Sequence, residues 1–239
     1  MYMWISFVTI TALATALLPL AGRDGGVDVL NRKGQTMSGV NESEKTELAG
    51  RVSPVSAEAA DFIRRPSTTV ERLPTPFFAA GAIYRVTVLT PSGPRTFTVG
   101  YANGEPPVFL QMNPAAFFSL AEKARPSLGS PDAKIAYATT FLEATRDFRH
   151  RFQILQNAAD IELIQHPTPE EQERYRELQN KYKLIIHPPH VSETSSSDVV
   201  IFALVGQNLL QIKLTLAADG QWKRADQILE ENLPIGYAK

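Results

Sequence analysis

The clearest hydrophobic pattern in the chain lies between Leu210 and Leu216. Four apolar residues, at positions 210, 212, 214 and 216, alternate with Gln211, Lys213 and Thr215, and this period of two predicts a strand with one buried face. Burial of these four side chains stabilises a fold by roughly 6–12 kcal/mol, at about 1.5–3 kcal/mol each. The nearly all-apolar segment 198–205 predicts a central strand, and a turn at 218–221 leads into a last strand over 222–229.

Helical spacing predicts two helices before this sheet. After Ser130-Pro131, a cap residue followed by a first-turn proline, apolar or weakly polar residues recur at helical intervals, at Ala138, Phe141, Leu142, Thr145, Phe148, Phe152 and Leu155. This pattern predicts one long amphipathic helix from Pro131 to about Ala159. A second helix is predicted from Pro169 to about Tyr182, because Thr168 and Glu171 form a capping box. The apolar run 183–187 then predicts a short strand.

An earlier stretch, residues 74–125, predicts a small unit of three strands and a helix. β-branched and aromatic residues dominate 83–90 and 95–101, and the Pro-Ser-Gly-Pro turn between them predicts a hairpin. A third strand is predicted over 107–112. Asn113-Pro114 is a helix start signal, so a short helix should run from Pro114 to Ala124.

Residues 22–73 are rich in Gly, Ser, Glu and Pro and show no sustained hydrophobic period. So little apolar surface predicts a flexible linker, with one short helix over 57–65. The predicted fold class is therefore α+β: a small β-hairpin/helix unit at 74–125, followed at 131–235 by two helices packed on a curved antiparallel sheet.

Residues 1–21 are apolar and carry no charged side chain. A helix of that length would just cross a hydrocarbon core of about 30 Å, so a membrane anchor is one interpretation. The small residues of Ala12-Leu13-Ala14 and Ala14-Thr15-Ala16 favour a cleaved signal peptide equally. Positive charges only follow the segment, at Arg23, Arg32 and Lys33, which by the positive-inside rule favours a cytoplasmic C-terminal side. The segment nevertheless predicts export or anchoring: an envelope location, periplasmic or secreted.

Composition narrows the classes of function. The chain contains 24 Lys and Arg against 25 Asp and Glu, so no excess of positive charge favours binding to nucleic acid. It contains no cysteine, which excludes disulfides, thiolate metal sites and a cysteine nucleophile. We expect no cofactor, since the sequence carries no phosphate-binding loop, no serine nucleophile elbow and no HExxH zinc motif.

The candidate contact residues are Arg146, Arg149 and His150, which the long predicted helix brings together. Arg146 and His150 lie one turn apart, as do Asp147 and Arg151, so this surface could hold an anion or an acidic partner, or form an ordinary charged outer face. His187 and His190 are spaced as a pair that a metal could share, although a strand end and a solvated loop explain them better. Four carboxylates could serve as an acid or base inside a pocket: Asp147, Asp160, Glu162 and Asp226.

The order of elements over about 131–234, a long helix, a second helix and then antiparallel strands ending in LLQIKLTLAADGQWKRADQIL, resembles the cystatin-like α+β roll of the nuclear transport factor two-like superfamily. The resemblance implies a curved sheet wrapped around a helix, with space for a pocket. It implies no catalytic residue, because the His–Asp and Tyr–Asp sets of enzymes in that superfamily have no matching positions here.

The sequence therefore favours a non-enzymatic envelope protein whose α+β domain binds a protein or small-molecule partner. Two alternatives stay open. One is a pocket enzyme of the roll class that uses acid–base chemistry; the other is a subunit of an envelope assembly, which would form homo-oligomers.

Overall fold

The computed structural model describes residues 39–162 and 166–235, which belong to one compact unit. The predicted export segment 1–21 and the first part of the predicted linker lie outside the described residues. Among residues 39–162 and 166–235, none of the helices combines the length and the apolar content that a membrane crossing requires.

The described residues form five helices and nine strands. The helices are α1 (Glu42–Val52), α2 (Ala57–Arg64), α3 (Pro114–Ala124), α4 (Pro131–Thr145) and α5 (Pro169–Tyr182), with a 3₁₀ turn at Ala158–Asp160. The strands are β1 (Thr68–Leu73), β2 (Gly81–Thr90), β3 (Gly93–Ala102), β4 (Val108–Phe109), β5 (Phe152–Ile154), β6 (His190–Val191), β7 (Asp198–Val205), β8 (Asn208–Leu216) and β9 (Trp222–Glu230).

The strands form two antiparallel sheets. The first has the order β1-β2-β3-β4, and the second has the order β5-β7-β8-β9, with β6 pairing alongside β7. In the second sheet Ile201 lies opposite Ile212, and Leu214 lies opposite Arg224. The predicted α+β class is confirmed, and so are the strand alternation at 210–216 and the central strand at 198–205.

Helices cover the sheets in layers because strand side chains alternate between faces. One face of the first sheet packs against α1 and α2, around Val70, Tyr84 and Val86. Its other face joins α3, α4 and the Ile212 face of the second sheet in one shared core. The opposite face of the second sheet packs on α5, and Phe202 of β7 and Leu178 of α5 belong to the same buried apolar cluster.

The predicted linker over 22–73 is wrong from residue 39 onward. Asn41 caps α1 by accepting a hydrogen bond from the Glu44 backbone N–H, and Leu48 and Val52 are buried against the first sheet. β1 then adds an edge strand to that sheet. The few apolar residues of this stretch are spaced to cover one sheet face, which composition alone did not reveal. The predicted boundary between 74–125 and 131–235 is also not a boundary of packing, since one core joins both parts.

The predicted long helix is wrong after Thr145. Arg146 adopts an extended conformation, with φ −65° and ψ 159°, and Phe152–Ile154 forms β5 against β7 instead. The side-chain hydroxyl of Thr98 donates to the carbonyl of Ala144 at 2.5 Å, and the backbone N–H of Met112 donates to that of Thr145 at 3.1 Å. Partners outside the helix thus satisfy its last carbonyls, and the helix ends there.

The predicted strand at 183–187 is a turn that ends α5, and the predicted third strand at 107–112 shrinks to Val108–Phe109. The helix at 114–124 and the helix at 169–182 are confirmed with the predicted caps. Local start signals therefore predicted helix beginnings well, whereas long-range contacts decided where α4 ended.

Candidate functional site

A groove of about 270 Å³ lies where α4 ends and the chain crosses to the second sheet. Its apolar surface comes from Met112, Leu142, Phe152 and Val205; its polar surface comes from Thr145, Arg146, Asp147, His150, Arg151 and Arg224. We call this set of residues the groove.

Each wall of the groove has a structural origin. Leu142 lies in the last turns of α4, and Phe152 lies directly opposite Val205 in the pairing of β5 with β7. Arg224 lies opposite Leu214 in the pairing of β8 with β9, so it projects from the sheet face that α4 covers. The segment 146–151 closes the groove between α4 and β5.

Asp147 is the centre of the charged rim. It accepts two hydrogen bonds from the Arg149 guanidinium, from Nε at 3.0 Å and from Nη2 at 2.7 Å, and one from the Arg149 backbone N–H at 2.9 Å. His150 Nε2 lies 3.7 Å from the same carboxylate. The Arg149 hydrogen bonds favour the ionised form and lower the pKa of Asp147 to about 2. Asp147 is therefore a carboxylate at neutral pH.

Arg146 is mainly a structural member of the groove wall. Its side chain is only 15% exposed, and its Nε lies 3.5 Å from Glu143 Oε2. Its Nη1 donates to the Phe152 carbonyl at 3.1 Å, and its guanidinium lies 4.5 Å from the centre of the Phe148 ring. These contacts tie α4 to β5 and fix one side of the groove.

Arg151 and Arg224 form the remaining cationic surface. Arg151 Nη2 donates to Gln153 Oε1 at 2.8 Å. Arg224 donates to both oxygens of Asp226 at 2.7 Å, and the two side chains are 41% and 35% exposed. Asp226 is thus the ion-pair partner of Arg224.

The three predicted contact residues meet here, although the helix expected to carry them ends at Thr145. Arg146 and His150 line the groove. Arg149 lies beside it, bound to Asp147 and with Nη2 at 3.9 Å from Met112 Sδ. The predicted one-turn pairing of Asp147 with Arg151 is wrong, because segment 146–151 is not helical.

Sequence reasoning missed Arg224 and Met112. Arg224 is 73 positions or more from the other charged groove residues, and only the hairpin register around the Asp219-Gly220 turn predicts that it shares a face with Leu214. Met112 comes from the segment that follows β4, and its place depends on the hydrogen bond to Thr145.

The other candidate residues lie elsewhere. The rings of His187 and His190 are 5.5 Å apart, but within the described residues no group of three or more metal-binding side chains occurs. Asp160 accepts from the backbone of Gln156 and Asn157 and closes a capping box. Glu162 is exposed.

The groove suits an anion that carries an apolar part. Arginine and histidine donors surround an apolar floor, and Asp147 is the one carboxylate among the lining residues. Guanidinium groups bind carboxylates, sulfonates and phosphates through paired hydrogen bonds. Comparison of the chain with protein-family models, curated proteins and solved structures gives no significant match.

We predict that Asp147→Asn lowers the free energy of unfolding by about 1 kcal/mol at pH 7. The folded-state pKa is depressed from 3.8 to about 2, so the stabilisation is fully present above pH 3.8 and is lost as the pH falls towards 2. The 73% exposure of Arg149 screens the pair and keeps the effect small. Urea denaturation of both proteins at pH 7 and at pH 2.5 measures the difference, which should shrink at the lower pH.

Asp61→Asn is the matched control, because Asp61 pairs with Arg64 while 70% exposed and should change stability by less than about 0.5 kcal/mol. A loss for Asp147→Asn that is as large at pH 2.5 as at pH 7 would contradict the assigned pKa.

Proposed function

We propose that the chain is an exported or membrane-anchored envelope protein whose α+β domain binds a protein or small-molecule partner through an anionic group held in the groove. The observation that carries the proposal is the groove itself: cationic donors from two chain segments, residues 146–151 and Arg224 of β9, converge around an apolar floor.

The donors differ in how available they are to a ligand. Arg146 is committed to Glu143 and to the Phe152 carbonyl, whereas Arg224 and His150 have side chains that are 41% and 67% exposed. An incoming carboxylate or phosphate can compete with Asp226 for the Arg224 guanidinium. Arg224 and His150 are therefore the proposed ligand contacts, with Arg149 at the rim.

The alternative of a pocket enzyme finds less support. A general base works best with a pKa near the operating pH, and the groove carboxylate, Asp147, has a pKa of about 2. Asp226 is bound to an arginine at both oxygens. The arrangement supports binding better than proton transfer.

A cystatin-like roll remains our proposal for the second sheet and α4. An antiparallel sheet with a long helix on one face is compatible with it. The structure departs from the predicted packing in one respect, because α5 lies on the opposite face of the second sheet from α4. Among the described residues, no contact specifically supports the alternative that the protein is a subunit of an envelope assembly.

The anion proposal is tested with anilinonaphthalene sulfonate, a fluorescent probe with one sulfonate and an apolar ring system. We predict that the probe binds the native protein and that Arg224→Gln weakens this binding about tenfold, which corresponds to the loss of one charge-assisted hydrogen bond. Fluorescence titration at fixed salt measures the Kd.

Arg176→Gln is the matched control, since Arg176 also pairs with a carboxylate, Glu173, at 3.0 Å, and is 68% exposed on α5. Its Kd should equal that of the unaltered protein. Equal Kd values for Arg224→Gln and Arg176→Gln would contradict the proposal that the groove binds the anionic group.

The export proposal predicts that the protein fractionates with the envelope or the medium. N-terminal sequencing of the purified protein should find either the apolar segment 1–21 retained in a membrane fraction or a new N-terminus after its small residues. Recovery from the cytosol with an intact N-terminus would contradict export.

A further inference from the structure

The turn that ends α5 exposes two large apolar side chains. Leu184 is 87% exposed and Ile185 is 43% exposed, and both follow the exposed Lys183 directly in the chain. We call residues 183–185 the apolar tip. Single exposed apolar residues are common, whereas Leu184 and Ile185 are adjacent in the chain and both exposed.

The apolar tip is held in place from beneath. The residues on either side of it, Tyr182 and Ile186, are each only 3% exposed and pack in the core under the second sheet. The Tyr182 carbonyl accepts hydrogen bonds from the backbone N–H groups of Ile185 and Ile186 at 3.0 and 2.9 Å. The Tyr182 hydroxyl donates to the Leu229 carbonyl at 2.7 Å. The fold therefore holds Leu184 and Ile185 outward, and they cannot turn into the core without breaking these contacts.

Positive charge flanks the apolar tip. Lys183 is exposed within it, and Lys181 lies one residue before Tyr182 with its side chain 58% exposed. Lys181 pairs with Glu230 at 2.8 Å, whereas the exposed Lys183 directly precedes Leu184 in the chain. An apolar projection beside lysine is complementary to a lipid surface with anionic headgroups.

We infer that the apolar tip inserts into the interfacial region of a membrane that contains anionic lipid. A stable protein interface buries about 800 Å² on each partner, which two exposed side chains do not supply. A bilayer interface accommodates such a small projection and adds electrostatic attraction to the lysine. The inference depends neither on the groove nor on segment 1–21.

The absence of cysteine from the chain allows a direct test with the full-length protein. A cysteine placed by Leu184→Cys is labelled with the environment-sensitive fluorophore nitrobenzoxadiazole, and vesicles of phosphatidylcholine with phosphatidylglycerol are added. We predict a blue shift and a severalfold rise in emission. Leu89→Cys is the matched control, because Leu89 is 64% exposed near the β2–β3 turn; its label should report water with and without vesicles.

A second variant tests the role of charge. Lys183→Glu, combined with the Leu184 label, should raise the lipid concentration needed for half-maximal response about tenfold on anionic vesicles. Circular dichroism confirms that each labelled protein is folded. No emission change at position 184, or an equal change at positions 184 and 89, would overturn the inference; the first result would leave a protein partner as the occupant of the apolar tip. Because the label reports position 184 alone, its result does not depend on whether anilinonaphthalene sulfonate binds in the groove.

Discussion

The structure depends on how the first sheet ends α4. The last carbonyls of a helix have no hydrogen-bond partner inside it. Here the Thr98 hydroxyl donates to the Ala144 carbonyl, and the Met112 backbone N–H donates to the Thr145 carbonyl. Because both are satisfied from outside, the chain can leave the helix in an extended conformation at Arg146. It then reaches the second sheet at Phe152, and the groove lies along this crossing.

A chain of partly buried ion pairs reinforces the same crossing. Glu143 of α4 lies 2.6 Å from Arg85 of β2 and 3.5 Å from Arg146, and these three side chains are 19%, 8% and 15% exposed. Arg85 also lies 3.6 Å from Glu71 of β1. Removing one charge from such a chain takes one partner away from neighbours that are already partly desolvated, which costs more than the loss of a surface pair. The charges that join the two sheets are thus the ones that fix Arg146 in the groove wall, whereas Arg224 and His150 are the more exposed residues for which we propose ligand contact.

The sequence predicted elements correctly where neighbouring residues determine them, and it failed where contacts with distant residues determine where an element ends. Alternation between Leu210 and Leu216 predicted β8, and cap residues predicted the starts of α3, α4 and α5. Phe152 fitted the helical spacing of α4, but Thr98, 46 residues before Ala144, stops that helix first. Arg146 and His150 line the groove, but not through the predicted helical spacing, because the segment 146–151 is not helical. Arg224 joins them through the register of β8 and β9. The residues at 183–187 predicted a strand, but 183–185 form a turn. Tyr182 and Ile186 are buried in the core, whereas Leu184 between them is exposed.

The partly buried carboxylate of Glu143 couples the end of α4 to the first sheet through Arg85, and to the second sheet through Arg146. A double-mutant cycle on the free energy of unfolding at pH 7, with Glu143→Gln, Arg85→Met and both together, tests this coupling most directly. Each single change should cost about 1.5–3 kcal/mol, and the double change should cost less than their sum, because the attraction between Glu143 and Arg85 is then lost only once. Single changes that each cost under about 1 kcal/mol and add in the double variant would contradict the account.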